Sequence, residues 1–418
     1  MMATPRILEL ASSILSSVTI IHDALVAKQI PLPSFDEDAP ERLPHELSDA
    51  GDAVLDATAE LRDLLLCPIS LLHKHSSHNS AVYFQAISRS RIPSLIPPKG
   101  RISFAEIANK TTLPEQIITR LLRYAMTFHV FCEPEPGMVA HTKASKALLD
   151  ADTNDWLRTG TEEMFPAATR LLDAVQKWPN SQEPNETAFC LANNTSQSIY
   201  EVLASDPGRA KRFSATMRVL ATKPENDPCY ITDYYDWAAL GPNAHIVDIG
   251  GGHGHVSKAI ASKFPNIAQV TVQDIPGVVD GAEAGVPEQL KGRIFFQAYD
   301  MFSPQTVQAD VYIFRWVLHN WPDKYCIMAL KAQIPVLKAG SIVLIQDTLL
   351  PEPGTGSRWR EQGMRSTDLI MAVSFNSRER TVAEWKALLT EADPRFAVKT
   401  VTEPKGSALG ILVVEWAG

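Results

Sequence analysis

Three titratable residues in the C-terminal half stand where a proton could be moved. His319 lies in "FRWVLHNWPD", just after an apolar run and between Trp316 and Trp321. An isolated histidine is more often a packed core residue, but this one falls at the ligand-facing end of a strand, which favours a general base. Imidazole, with a pKa near ~6.5, is available at neutral pH to take the proton of a phenol-like hydroxyl near ~10. Asp347 in "LIQDTLLP" and Glu379 in "NSRERT" are carboxylates of the kind that orient such a ring and stabilise its protonated form.

Upstream, "HIVDIGGGHGHVSKAIASKFP" sets Gly250, Gly251, Gly252 and Gly254 between an apolar run and an amphipathic one. Glycines this dense weaken helices and strands alike, and they suit a turn whose bare main chain is approached by a ligand. The dinucleotide pattern G-x-G-x-x-G is incomplete here, because from Gly252 the chain reads G-H-G-H-V-S and Ser257 takes the third place. The string "DIGGGHG" has instead the form D-x-G-x-G-x-G, headed by Asp248. That form suits S-adenosylmethionine, whose methionyl end is zwitterionic and which has no pyrophosphate to seat. Asp274 follows 20 residues after Gly254 and can accept both ribose hydroxyls, as either nucleotide would require. Asp300 and Met301 in "AYDMF" suit an adenine amino group and ring face, and Arg315 can reach the cofactor from the fourth strand. His253 and His255 have no third ligand nearby, so no metal is expected.

These residues need a scaffold that brings strand ends together. From residue 223 to 418 short apolar strands alternate with helices: "AHIVDIG", "AQVTVQDI", "RIFFQAYDMF", "ADVYIFRWVL" and "GSIVLIQDTLL", then an antiparallel pair, "FAVKTVTE" and "ALGILVVEWA". This is the grammar of an α/β fold with a doubly wound, mostly parallel seven-stranded sheet, whose ligands sit at the carboxyl ends of the strands. Residues 1–222 read as a largely helical domain. Ile7, Ala11, Ile14, Val18, Ile21 and Leu25 mark a first amphipathic helix with one buried stripe. "PLPSFDEDAPERLP" is a connector without periodicity. "RISFAEIANKTTLPEQIITRLLRYAMTFHVFCEPEPGMVAHT" reads as a winged helix-turn-helix whose hairpin turns at Glu135-Pro136-Gly137.

A winged helix raises the question of DNA. The candidate recognition helix carries Gln116, Arg120 and Arg123 beside Glu115, in a chain with 39 basic and 48 acidic residues and a net charge of −9. That balance favours a structural or dimer-forming module and no nucleic-acid partner. The five cysteines are far apart with no C-x-x-C pair, which fits a reducing, cytoplasmic setting. No stretch is expected to span or bind a membrane.

The string "VDIGGGHGHV … VQDIPGVV … AYDMF … FRWVLHNWPD … IQDTLLPEPG … DLIMAVSFNSRERT" resembles the cation-independent small-molecule O-methyltransferases of the plant caffeic-acid type and their fungal natural-product branch. The resemblance implies a Rossmann-like class I methyltransferase domain and an N-terminal dimerisation domain that lends residues to the partner's substrate pocket. It implies that S-adenosylmethionine contacts Gly250 and Gly251 by its methionyl part, Asp274 by its ribose, and Asp300 and Met301 by its adenine. Arg315 stands where the family commonly has lysine, His319 is the base, and Asp347 and Glu379 flank it. The substrate, a phenolic and planar natural product, would be walled by Met164, Phe165, Phe213, Met217, Met371 and Phe375. Three departures stand out: Asp347 for glutamate, Asn320 for aspartate, and Arg315 for lysine. Two other readings use the same features: an NAD(P)-dependent oxidoreductase on the same sheet, and a non-catalytic winged-helix regulator with a methyltransferase-like sensor domain.

Overall fold

The helical spacing of the N-terminal residues is realised as Arg6–Ala27 and Ser48–Leu65, which lie against each other. This computed structural model describes residues 4–74 and 78–418. The stripe on the first helix is narrower than its spacing implies. Leu10 and Leu25 are buried and Ile14 and Ile21 partly covered, while Ile7, Ala11 and Val18 are exposed. By length and composition this helix is also apolar enough to cross a bilayer, which corrects the expectation that no stretch approaches that length. Its serines are only weakly polar, and its acidic residues, Glu9 and Asp23, lie near the two ends.

The connector after the first helix forms no long element. Beyond it, the strands β1 (Arg101–Ser103), β2 (Cys132–Glu135) and β3 (Met138–Ala140) make an antiparallel sheet in the order β1-β3-β2. β2 and β3 are the expected hairpin, with Gly137 at φ +88° in its turn. β1 is too short to show a period of its own. The helices Phe104–Lys110 and Glu115–Met126 cover this sheet through Ile107, Ile118 and Leu122, all fully buried. Ser103 caps the first of them reciprocally with Glu106. Arg123 is paired with Glu133 of β2 through two bonds of 2.8 Å, which commits a cation that a recognition helix would offer to phosphate.

The chain divides into two compact units that interleave along the sequence. The first comprises the residues up to Thr169, with Tyr200–Val219 and Gly354–Gln362; the second comprises Arg170–Ile199, Leu220–Pro353 and Gly363–Gly418.

The second unit holds a seven-stranded sheet: β4 (Ala244–Ile249), β5 (Ile267–Asp274), β6 (Ile294–Ala298), β7 (Val311–Arg315), β8 (Ile342–Asp347), β9 (Phe396–Thr402) and β10 (Gly410–Trp416). The order is β6-β5-β4-β7-β8-β10-β9, parallel from β6 to β8 and antiparallel at β10 and β9. The central strands β4, β7 and β8 are mostly apolar and buried because both faces are covered, whereas the edge strand β9 is largely exposed. Val247, Ile249, Tyr312 and Phe314 face the helices Asp323–Gln333 and Val382–Ala392. Ile246, Ile313 and Leu344 face the helix His255–Lys263. Pro335 ends the helix Asp323–Gln333 in a single turn, Ile334–Val336, as its ring requires.

Candidate active site

The chain moves outward from β4 to β6, returns to β7, and moves outward again on the other side. The crevice at that reversal, outside the carboxyl ends of β4 and β7, is where such sheets take ligands. The glycine turn stands there, and much of its glycine requirement comes from the protein itself. A Cβ on Gly250 would lie 2.6 Å from Val317, and one on Gly251 would lie 2.6 Å from the Asp248 carboxyl carbon. A Cβ on Gly254 would press on Val272 and Phe296 at 3.2 and 3.3 Å. Only at Gly252 is the space open, and there the backbone is left-handed, at φ +57°. The close approach of Gly250 to Val317 also seats this turn against the one that carries His319.

Asp248 is buried and accepts a hydrogen bond from Ser257 Oγ at 2.6 Å. Burial pushes its carboxyl up to about 6. Ser257, itself fully buried, is thus bound to the acid that heads the glycines and does not play the part of a third dinucleotide glycine. Asp274 ends β5; its two oxygens accept from the backbone amides of Gly252 at 2.9 Å and Ile275 at 2.8 Å. Burial raises its pKa as well. Each oxygen retains a lone pair for a ribose hydroxyl. Asp300 lies in the loop just beyond β6, where its carboxylate accepts from Phe302 N at 3.0 Å and Ser303 Oγ at 3.2 Å. Met301 packs partly against the sheet's core. Behind this loop runs a buried amide chain that the sequence did not suggest. Gln305 bonds Gln273 of β5 at 2.8 Å and Gln333 at 3.1 Å, tying the loop to the strand that ends in Asp274.

His319 sits in the helical turn Leu318–Asn320 after β7 and is buried. Its Nδ1 donates to Glu379 Oε1 at 2.9 Å, which fixes the tautomer and leaves Nε2 as the basic nitrogen. Burial alone would lower the His319 pKa, but the charges of Asp347 and Glu379 outweigh it and raise it. Asp347, the last residue of β8, is fully buried, and burial pushes its carboxyl up to about 7.

Two of the departures from the family pattern have local reasons. Asn320 Nδ2 donates to the Trp316 carbonyl at 3.3 Å, a bond that an aspartate could not make. Trp316 is left-handed, at φ +55°, a costly conformation for a bulky residue. Its ring lies 6.4 Å from that of His319 and within 10° of parallel. Arg315 Nε donates to Gln346 Oε1 at 2.9 Å and its Nη2 to the Asn226 carbonyl at 2.5 Å. Burial lowers its pKa, against the opposing pull of Asp248 and Asp347.

Of the expected substrate wall, Met371 and Phe375 are buried in the helix Arg358–Phe375 and belong to the second unit, with His319. Met164, Phe165, Phe213 and Met217 belong to the first; Phe165 and Met217 are exposed. Met164 ends a π-helical turn, Gly160–Met164, of a kind often found at functional sites. Among the described residues, no three His, Cys, Asp or Glu side chains gather as a metal set.

A family model described as an O-methyltransferase domain matches residues 169–394. The chain is 43% identical over 412 residues to the O-methyltransferase PaMT of Phomopsis amygdali, covering 98% of this chain and 96% of that one. It is 35% identical over 417 residues to the grayanic acid biosynthesis cluster O-methyltransferase of Cladonia grayi, covering 98% and 88%. Among solved structures, that of OxaC superposes with a TM-score of 0.78 over 98% of each chain, at 22% identity. LepI in complex with S-adenosylmethionine superposes with a TM-score of 0.74 over 98% of this chain and all of the other, at 23% identity. At those identities the structural likeness speaks to the fold.

Proposed function

This chain belongs to the O-methyltransferase family, whose members depend on S-adenosylmethionine, and from that premise we propose that it methylates a phenolic hydroxyl of an aromatic natural product, with His319 as the general base. The reading is carried by one observation: the 2.9 Å bond from His319 Nδ1 to a fully buried Glu379, on a turn that abuts the glycine loop.

The glycine turn fits the cofactor. Main chain is bare at Gly252, the acid Asp248 faces the turn, and Asp274 closes it with a carboxylate that has room for ribose hydroxyls. We assign Asp248, Gly250, Gly251 and Gly252 to the methionyl part, Asp274 to the ribose, Asp300 and Met301 to the adenine, and Arg315 to the electrostatics of this end. When bound, S-adenosylmethionine supplies an electrophilic methyl carbon on a sulfonium. His319 Nε2 takes the acceptor's hydroxyl proton as the oxygen becomes nucleophilic, and Glu379 stabilises the imidazolium that results. Burial of His319 and Asp347 keeps water from competing for that proton. Met371 and Phe375, in the unit that holds His319, are assigned to the acceptor's wall. Apolar side chains there suit a flat aromatic ring.

We also assign the exposed apolar residues of the N-terminal helices to pairing with a second copy. Leu15, Leu65 and Ile69, on three successive α-helices, are 70%, 73% and 74% exposed. The reading is tested by incubating the protein with S-adenosylmethionine and a panel of phenols, thiols and amines, with mass detection of methylated product. Product from phenols alone is the expected result; methylation confined to thiols or amines contradicts it.

A further inference from the structure

The segment Ser377–Arg380 holds the turn bearing His319 at more points than an orienting carboxylate needs. Ser377 Oγ donates to the His319 carbonyl at 2.7 Å, and Glu379 accepts from the ring at 2.9 Å. Arg380 is fully buried. Its Nη2 donates to the Trp321 carbonyl at 2.9 Å and to Asp323 Oδ1 at 2.6 Å, and its Nε reaches the same carboxylate oxygen at 2.9 Å. Its Nη1 lies 3.5 Å from the Leu318 carbonyl and 3.4 Å from that of Arg378. Arg378 Nη2 occupies the second oxygen of Asp323 at 2.7 Å. The carbonyls of Leu318, His319 and Trp321 are therefore all held from a single tetrapeptide. The guanidinium also sits 5.1 Å from the centre of the buried Trp385 ring, which fixes its plane.

A buried guanidinium is costly unless its donors are used, and these donors are shared between the carbonyls of the histidine turn, the Asp323 carboxylate and the Arg378 carbonyl. We propose that Arg380 is a positioning residue for His319: its planar fork clamps the carbonyls on both sides of the base, and Ser377 clamps the base's own. Lysine cannot reproduce this, since a point charge lacks the fork. The proposal rests on the reading of His319 as the base. The charged and titratable groups facing the imidazole are Asp347 from β8 and Glu379 and Arg380 from the clamp. Behind Arg380 lie Asp323 and Cys326 of the helix Asp323–Gln333, together with Arg378; behind Glu379, Asp368 accepts its backbone N–H at 2.8 Å.

The test compares Arg380→Lys, Arg380→Met and Ser377→Ala with the native enzyme, following kcat, both KM values, cofactor affinity by calorimetry, and the titration of His319 in histidine-labelled protein by NMR. Misplacement of a reacting group by about 1 Å costs about a hundredfold in rate. The expected result is a kcat about a hundredfold lower in the Arg380 variants and about tenfold lower in Ser377→Ala. KM and cofactor affinity stay within about twofold, and the His319 titration is displaced. Ser377→Ala removes one hydrogen bond without stranding a charge, so it reports even if the arginine variants do not fold. Unchanged kcat and an unchanged titration in folded variants would overturn the proposal, as would a loss of cofactor affinity parallel to the loss of rate. Activity retained in His319→Ala would overturn the base reading instead, and the NMR titration would still judge the clamp.

Discussion

Glu379 and Asp347 act on His319 in different ways, and substitution separates them. Glu379 holds the ring by a hydrogen bond and helps raise its pKa, so the rising limb of kcat/KM against pH falls above the ordinary histidine value. In Glu379→Gln that limb moves by about one pH unit toward acid, while the rate at its plateau drops; pH-rate profiles of both proteins check this. Asp347 has a folded-state pKa of about 7, above its ordinary value of 3.8. The native state therefore binds its proton more tightly than the unfolded chain does, and the stability this contributes at low pH is lost as pH rises from about 4 to 7. Asp347→Asn removes that loss. It raises stability at pH 8 by on the order of 1–3 kcal/mol and changes it little at pH 4, as denaturant titrations at the two pH values will show. His319, Asp347 and Glu379 are legible in the sequence because each sits in a short string of distinctive type. Ser377 is not, because a side chain that bonds a backbone carbonyl leaves no partner whose type could be read, and Arg380 is not, because its acid, Asp323, stands 57 residues away.

At the scale of elements, the site is a contact between two turns. The glycine turn after β4 is crowded from inside at Gly251 and open at Gly252. Gly251→Ala must displace Asp248 or Val272, so it lowers both melting temperature and cofactor affinity. Gly252→Ala meets no side chain but must adopt a left-handed backbone, which costs about 1–2 kcal/mol. Calorimetry and thermal melts of the two variants should rank Gly251→Ala as the more damaging. The sequence showed the central strands well because burial on both faces makes them mostly apolar, and it marked the hairpin by its Pro-Gly turn. The three-residue strand β1 is too short for any pattern, and the left-handed Trp316 carries none of the residue types that announce such a turn.

For the whole molecule, composition and order of elements were enough to read an α/β sheet with a helical N-terminal half. They could not reveal that the two units interleave, because the pieces Tyr200–Val219 and Gly354–Gln362 are assigned by what they pack against and not by their own pattern. Nor could spacing alone reveal how much of the first helix stays uncovered, since the same residues at the same intervals serve a core or an interface. If that surface joins two copies, Leu15→Glu converts a dimer to a monomer in analytical ultracentrifugation; a native protein that sediments as a monomer removes the assignment. The account as a whole stands on proton removal by one imidazole beside a bound cofactor. Its most direct test is turnover by His319→Ala with the cofactor saturating. The account predicts a kcat lower by about 10²–10⁴ with S-adenosylmethionine affinity within about twofold of native, and a variant that turns over at the native rate would contradict it.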